Sequence, residues 1–185
     1  MREQLQKDFE NIVKNLTLSQ KDIEIKKFCL DNFINKGFPN RKEEDWRFSD
    51  LSQIIKKNIG ELSFYCDYTS TNKVDTSVFV DGLEHNKIVF INGRIEKIDF
   101  DYEKKNQIEI VDQSETINKF SNNNSLSDLN NAFTNKSFKI LVKKGYKLTK
   151  PLIIYHTTNP KIWSKNINLR LDFELDKDSS LRIID

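Results

Sequence analysis

The period of the apolar residues changes near residue 60, and this change limits what the chain can fold into more than any other of its properties. Ahead of it, Leu5, Phe9, Ile12, Val13 and Leu16 recur at intervals of three and four, the stripe of a first helix. Ser19 is placed to cap a second helix, whose apolar positions Ile23, Phe28, Phe33 and Ile34 lead to Gly37. A third helix is expected from near Asn40 or Ser49, carrying Leu51, Ile54 and Ile55 until Asn58 and Gly60 end it. None of the three is apolar all round, so each must bury its stripe against something else.

Beyond residue 60 the signals are those of strands and turns. Residues 67–76 are polar and turn-prone and read as a surface connection. Ile88 to Ile91, then Asn92-Gly93, then Arg94 to Ile98 read as a β-hairpin, because Asn-Gly supplies the positive φ angles of a type I′ turn. Ile108 and Ile110 suggest another short strand, residues 121–125 a loop, and Leu126 to Phe133 one or two helical turns. Phe138, Ile140 and Val142 alternate with Lys139 and Lys143, although Leu141 breaks the rule. Pro151 introduces the apolar run Leu152 to Tyr155, as suits the first residue of a strand. Ile167, Leu169, Leu171, Phe173 and Leu175 alternate without exception with polar residues, the pattern of a strand with one face on a core and one on water. Leu181 to Ile184 starts a further strand just before Asp185. Native sheets blunt or cover their edges, so the chain reads as the N-terminal piece of a longer protein.

With 37% hydrophobic residues and 13 phenylalanines the chain has material for a real core, and disorder throughout is excluded. Thirty basic residues against 28 acidic ones leave a net charge of +2, and the Lys-Lys pairs are dispersed, so neither nucleic acid nor an anionic membrane is indicated as a partner. Cys29 and Cys66 are too few and too far apart for a disulfide framework or a Cys-x-x-Cys metal pair. Cys29, beside Phe28 and Leu30, reads as a buried inert thiol, and Cys66, after Phe64 and Tyr65, reads the same way. No signal peptide and no stretch approaching a membrane span is seen, which points to a reducing, cytoplasmic compartment.

Few residues invite chemistry. His85 is expected on a loop; His156, at the end of the run 152–155, is expected to be partly buried with its imidazole bonded to backbone. Neither has a second ligand at metal-binding spacing, so no metal site is expected. Glu43, Glu44 and Asp45 form the densest acidic cluster, placed to serve a helix dipole and to pair with Arg41 and Arg47, with Glu43 to Arg47 a favourable i,i+4 pair. No Gly-x-Ser-x-Gly elbow activates a serine, and the 5 glycines are never clustered into a phosphate-cradling loop. No catalytic, cofactor-binding or metal residue is therefore assigned within the chain, and no cofactor of its own is expected in this span.

The run from Gly37 to Leu51 is a helix stop followed at once by a restart, in which Asn40 can cap and Glu43 can close a capping box. Trp46 and Phe48 make it an aromatic corner, with Trp46 expected to be largely buried. The order Gly-x-Pro, charged stretch, Glu-Asp-Trp, basic residue, aromatic and Ser-x-Leu resembles the N-terminal region of the SufB/SufD family of iron–sulfur cluster assembly scaffold subunits. The Glu-Asp-Trp corner resembles the SufD branch more than SufB. Two later segments are similar to the same family in the same order: the hairpin Ile88 to Lys97, and Leu126 to Thr158, with its Leu-Asn-x-Ala, strand, Gly, Leu, Pro-Leu and strand ending in His.

The resemblance implies an α+β chain, an N-terminal helical domain followed by the first coils of a right-handed parallel β-helix. On this reading residues 1–60 are the helical domain, 61–125 a connecting region with the hairpin at 88–98, and 126–185 the start of the β-helix, incomplete at its C-terminal end. It also implies a non-catalytic scaffold subunit of a SufBCD complex. Its partners would be SufB, through the β-helix, and the ATPase SufC, through a C-terminal domain beyond Asp185. The periodicity alone leaves open a β-sandwich or β-helical module that binds or acts on carbohydrate, for which Trp163 with nearby Tyr155 is the one hint.

Overall fold

Ser19 begins the second helix as its position predicts. Its hydroxyl oxygen accepts a hydrogen bond from the Asp22 amide at 3.2 Å in the computed structural model, which describes residues 2–16, 18–58, 62–64, 74–113, 124–159, 162 and 165–185. The chain is α+β, with helices and, among the described residues, two mixed sheets. It divides into two compact units, one built from 1–66, 114–135 and 164–169, the other from 67–113, 136–163 and 170–185.

The first unit holds α1 (Arg2–Asn15), α2 (Gln20–Lys36), α3 (Leu51–Asn58) and α4 (Ser125–Phe133). Leu5, Phe9 and Ile12 of α1 share a core with Ile25, Cys29, Leu30 and Phe33 of α2, with Phe38 and Phe64, and with Ala132 and Phe133 of α4. Phe64 stacks on Phe133 with ring centroids 3.7 Å apart. The α4 turns, which the sequence groups with the strands that follow, thus pack on α2 and belong to the helical unit. The buried face of α2 also differs from expectation. It runs through Asp22, Ile25, Lys26, Cys29, Leu30 and Phe33, whereas Phe28 is exposed. The stripe has helical spacing, but two of its members are charged and so escape a reading by apolar residues.

Gly37 ends α2 with φ +73°, its amide donating to the Phe33 carbonyl at 2.7 Å. Of the two starts expected for the third helix, near Asn40 and near Ser49, the structure takes the later one. The Glu43 carboxylate does accept from the Asn40 amide, and Asn40 Oδ1 from the Lys42 amide, yet only one 3-10 turn forms, Glu44–Trp46. α3 starts at Leu51, where Asp50 Oδ1 accepts from the Gln53 amide at 3.1 Å. The reason is packing: Leu51 and Ile55 reach the core, while 41–48 offers no apolar stripe to hold a longer helix. Trp46 is only half-buried and lies outside that core, and Phe48 is 88% exposed beneath the Arg47 guanidinium. The expected buried aromatic anchor is therefore corrected to a surface corner. Arg47 pairs with Glu44 at 3.9 Å in place of Glu43.

The second unit contains all of β1 (Asn86–Ile91), β2 (Arg94–Asp99), β3 (Ile108–Asp112), β4 (Lys136–Val142), β5 (Leu152–Thr157) and β7 (Ile183–Ile184), and most of β6 (Leu169–Leu175). The hairpin β1–β2 turns through Asn92 at φ 53° and Gly93 at φ 79°, as a type I′ turn requires. β1 is not merely part of a connection. Its other edge pairs in parallel with β5, from Asn86 against Leu152 to Ile91 against Thr157, giving a sheet ordered β2-β1-β5-β7. Ile88 and Phe90 lie on one face of this strand, Val89 and Ile91 on the other, and all four are buried. A parallel pair covered on both faces reads as a continuous apolar run, which explains Leu152 to Tyr155. The second sheet is ordered β3-β4-β6, and Phe138 of β4 meets Phe90 of β1 at 5.8 Å.

The expected surface connection at 67–73 and loop at 121–123 lie outside the described residues.

Candidate functional site

The most distinctive geometry lies where the chain returns on itself. Lys147 bridges Ser180 in parallel, and Leu152 pairs in parallel with Ile183, so the path comes back to the same place after 33 and 31 residues. Between these points the Leu148 amide donates to Ser180 O and the Leu152 amide to Arg182 O. The Asp176 amide donates to Val142 O, and β6 pairs with β4. One turn of chain, 136–157, is thus overlaid by the next, 169–184, in both sheets.

The later turn is the outer strand of each sheet among the described residues, since β7 and β6 end their respective orders. Phe173, Leu175, Ile183 and Ile184 on these strands are exposed, and Ile167, Leu169 and Leu171 are half-buried. Lys139 pairs with Glu174 at 2.9 Å and Arg170 with Asp172 at 3.1 Å, surface pairs worth little energetically. Such edges offer backbone pairing and apolar contact.

The turn before β5 is fixed by one carboxylate. Glu103 accepts from Tyr146 Oη at 2.6 Å, from Asn86 Nδ2 at 2.8 Å and from the Thr149 and Lys150 amides at 3.0 and 3.1 Å. Burial by itself raises the Glu103 pKa, but the hydrogen bonds from Tyr146, Asn86, Thr149 and Lys150 outweigh it and hold the carboxyl below its usual range. With its oxygens committed to four donors, Glu103 is a clamp and not an acid–base group.

The residues singled out by sequence fall as follows. His85 sits on a loop, as expected, but is buried, with Nδ1 2.6 Å from Leu83 O and Nε2 2.8 Å from Tyr155 Oη. His156 is exposed, stacked on Phe90, and bonded through Nε2 to Asp185 Oδ1 at 2.8 Å, a carboxylate where backbone was expected. Cys29 is buried, and that burial, followed by the charge of Asp128, pushes its thiol pKa up. Glu43, Glu44 and Asp45 are exposed. Tyr155 is buried beneath Phe79, so it is not part of an exposed aromatic row for carbohydrate; Trp163 and Cys66 lie outside the described residues. Sequence reading missed Lys26 and Glu103. Glu103 carries no local signal, because its donors come from residues 86 and 146–150.

Among the described residues no three His, Cys, Asp or Glu side chains gather so as to hold a metal ion, and no helix is long and apolar enough to cross a membrane. Compared with models of known protein families and with curated proteins, the chain matches none.

Proposed function

We propose that the chain is a non-catalytic scaffold subunit of the SufB/SufD kind, acting in iron–sulfur cluster assembly in the cytoplasm. In this reading residues 136–184 are successive coils of a right-handed parallel β-helix, and the cluster is cargo of the complex, not a resident group of this chain. The observation that supports it is the parallel return at Lys147–Ser180 and Leu152–Ile183, since stacked coils sharing one core are what a β-helix requires. The exposed apolar residues of β6 and β7 then serve the growth of the helix and the contact with SufB, and SufC docks elsewhere.

Co-expression with SufB and SufC followed by size-exclusion chromatography tests this. The expected result is co-elution with SufB, weakened by Leu175→Lys with Ile183→Lys. A chain that never associates with SufB, while remaining folded by circular dichroism, overturns the reading.

A further inference from the structure

Residues 74–85 lie across one apolar face of the β1–β5 pair. Val74 and Phe79 pack against the buried residues Val89, Ile91, Ile153 and Tyr155, with the Phe79 ring 4.8 Å from that of Tyr155. Between them the Asp75 carboxylate accepts from the Ser77 amide and caps the short turn Thr76–Val78.

Three hydrogen bonds in series fasten this segment. The Val80 amide donates to Tyr155 Oη at 3.1 Å, Tyr155 Oη lies 2.8 Å from His85 Nε2, and His85 Nδ1 lies 2.6 Å from Leu83 O. A carbonyl oxygen only accepts, so Nδ1 carries the proton. In neutral imidazole Nε2 is then a lone pair, and the Tyr155 O–H donates to it. His85 is 3% and Tyr155 8% exposed, which leaves little room for water to replace a lost partner.

Protonation of Nε2 breaks the series. An N–H and an O–H would face each other, and the hydroxyl would have to turn away within a buried site. The new charge would also be buried without a carboxylate bonded to it, because both ring nitrogens are already taken. The charged groups around the site are engaged elsewhere: Glu84 pairs with Lys150 at 2.6 Å, Lys87 pairs with Asp99 and lies over the Phe79 ring, and Asp75 caps its turn. Asp81 is exposed to solvent.

We propose that segment 74–85 is an acid-released strap, held in place by neutral His85 and loosened when His85 takes up a proton, uncovering the apolar face formed by Val89, Ile91 and Ile153. Unlike the scaffold reading, it rests on this unit's own hydrogen bonds and stands whether or not SufB binds.

Amide hydrogen exchange across residues 76–85, corrected for its intrinsic pH dependence, tests it at about pH 7.5 and about pH 5, either side of the usual histidine range. The Val80 amide should lose protection by roughly tenfold or more on acidification. The His85→Gln variant keeps a side-chain oxygen for the Tyr155 hydroxyl and should show no such step. Unchanged protection in the native chain, or an equal step in His85→Gln, overturns the proposal. Ring-nitrogen chemical shifts of the unmodified protein at neutral pH supply a check that needs no variant: the Nδ1–H tautomer is expected, and the Nε2–H tautomer refutes the strap.

Discussion

Lys26 Nζ lies 3.2 Å from the main-chain oxygen of Asn131, which sets a fully buried ammonium against the carbonyl end of α4. It donates to Ala132 O and Thr134 O as well. The last carbonyls of a helix lack intrahelical partners and carry the negative end of its dipole, so a cation belongs there. Burial nevertheless dominates and lowers the Lys26 pKa from 10.5 to about 8, with Cys29 and Asp22 opposing it only in part.

That depression gives stability a defined pH dependence. Between about pH 8 and pH 10.5 the unfolded chain binds more protons at this site than the folded one, so stability rises with pH across the window. The gain from pH 7 to pH 9 should be about 1 kcal/mol. The raised Cys29 thiol works in the opposite sense above its ordinary value of 9.0, so the measurement stops there. Urea denaturation at pH 7, 8 and 9 reads the slope, and Lys26→Met should flatten it.

Glu103 gives a slope of the same sign at the acid end. Its folded pKa is depressed, so its contribution is complete above the usual glutamate value and disappears as pH falls through the folded one. Glu103→Gln should cost about 1–3 kcal/mol at neutral pH, the scale of hydrogen bonds to a charged group. Denaturation curves of the two proteins should converge as the pH is lowered below about 4.

The three aromatics Phe33, Trp46 and Phe48 should rank by burial. Phe33→Ala, at the centre of the helical core, should cost about 3–5 kcal/mol. Phe48→Ala should fall within about 0.5 kcal/mol of the parent, and Trp46→Ala between them. Chemical denaturation checks the order, and a Phe48 variant as unstable as the Phe33 one contradicts the surface corner.

Exposed Phe173, Leu175, Ile183 and Ile184 on outer strands should make the isolated chain self-associate as concentration rises. Light scattering should show this growth, and Leu175→Lys with Ile183→Lys should suppress it. A native chain that stays monomeric at high concentration shows that these strands need no further cover.

What was legible in the sequence depended on how locally each feature is determined. Ser19, Gly37 and Asn92-Gly93 act through their own backbone neighbourhood, and each does in the structure what its residue type predicts. The alternation from Ile167 to Leu175 located β6, since a period of two belongs to one strand, but its burial was misjudged: Phe173 and Leu175 are exposed where a core-facing row was expected. Lys26 was invisible because its partners lie 105 to 108 residues away. Trp46 and Phe48 misled for the related reason that an aromatic's burial is decided by what packs against it, which spacing does not record. The pairing of β1 with β5 escaped because parallel neighbours are joined by long connections that leave no local signature.

That pairing also sets a timetable. Asn86 faces Leu152 across β1 and β5, so 66 residues must be synthesised before β1 meets its parallel partner. At ordinary ribosomal rates this is about 3–13 s, long after the β1–β2 hairpin can close in about 1–10 μs. Through that interval the hairpin's inner edge, with Val89 and Ile91 on it, has no sheet to join, so the speed of translation through residues 92–157 governs how long a nascent chain is open to mispairing.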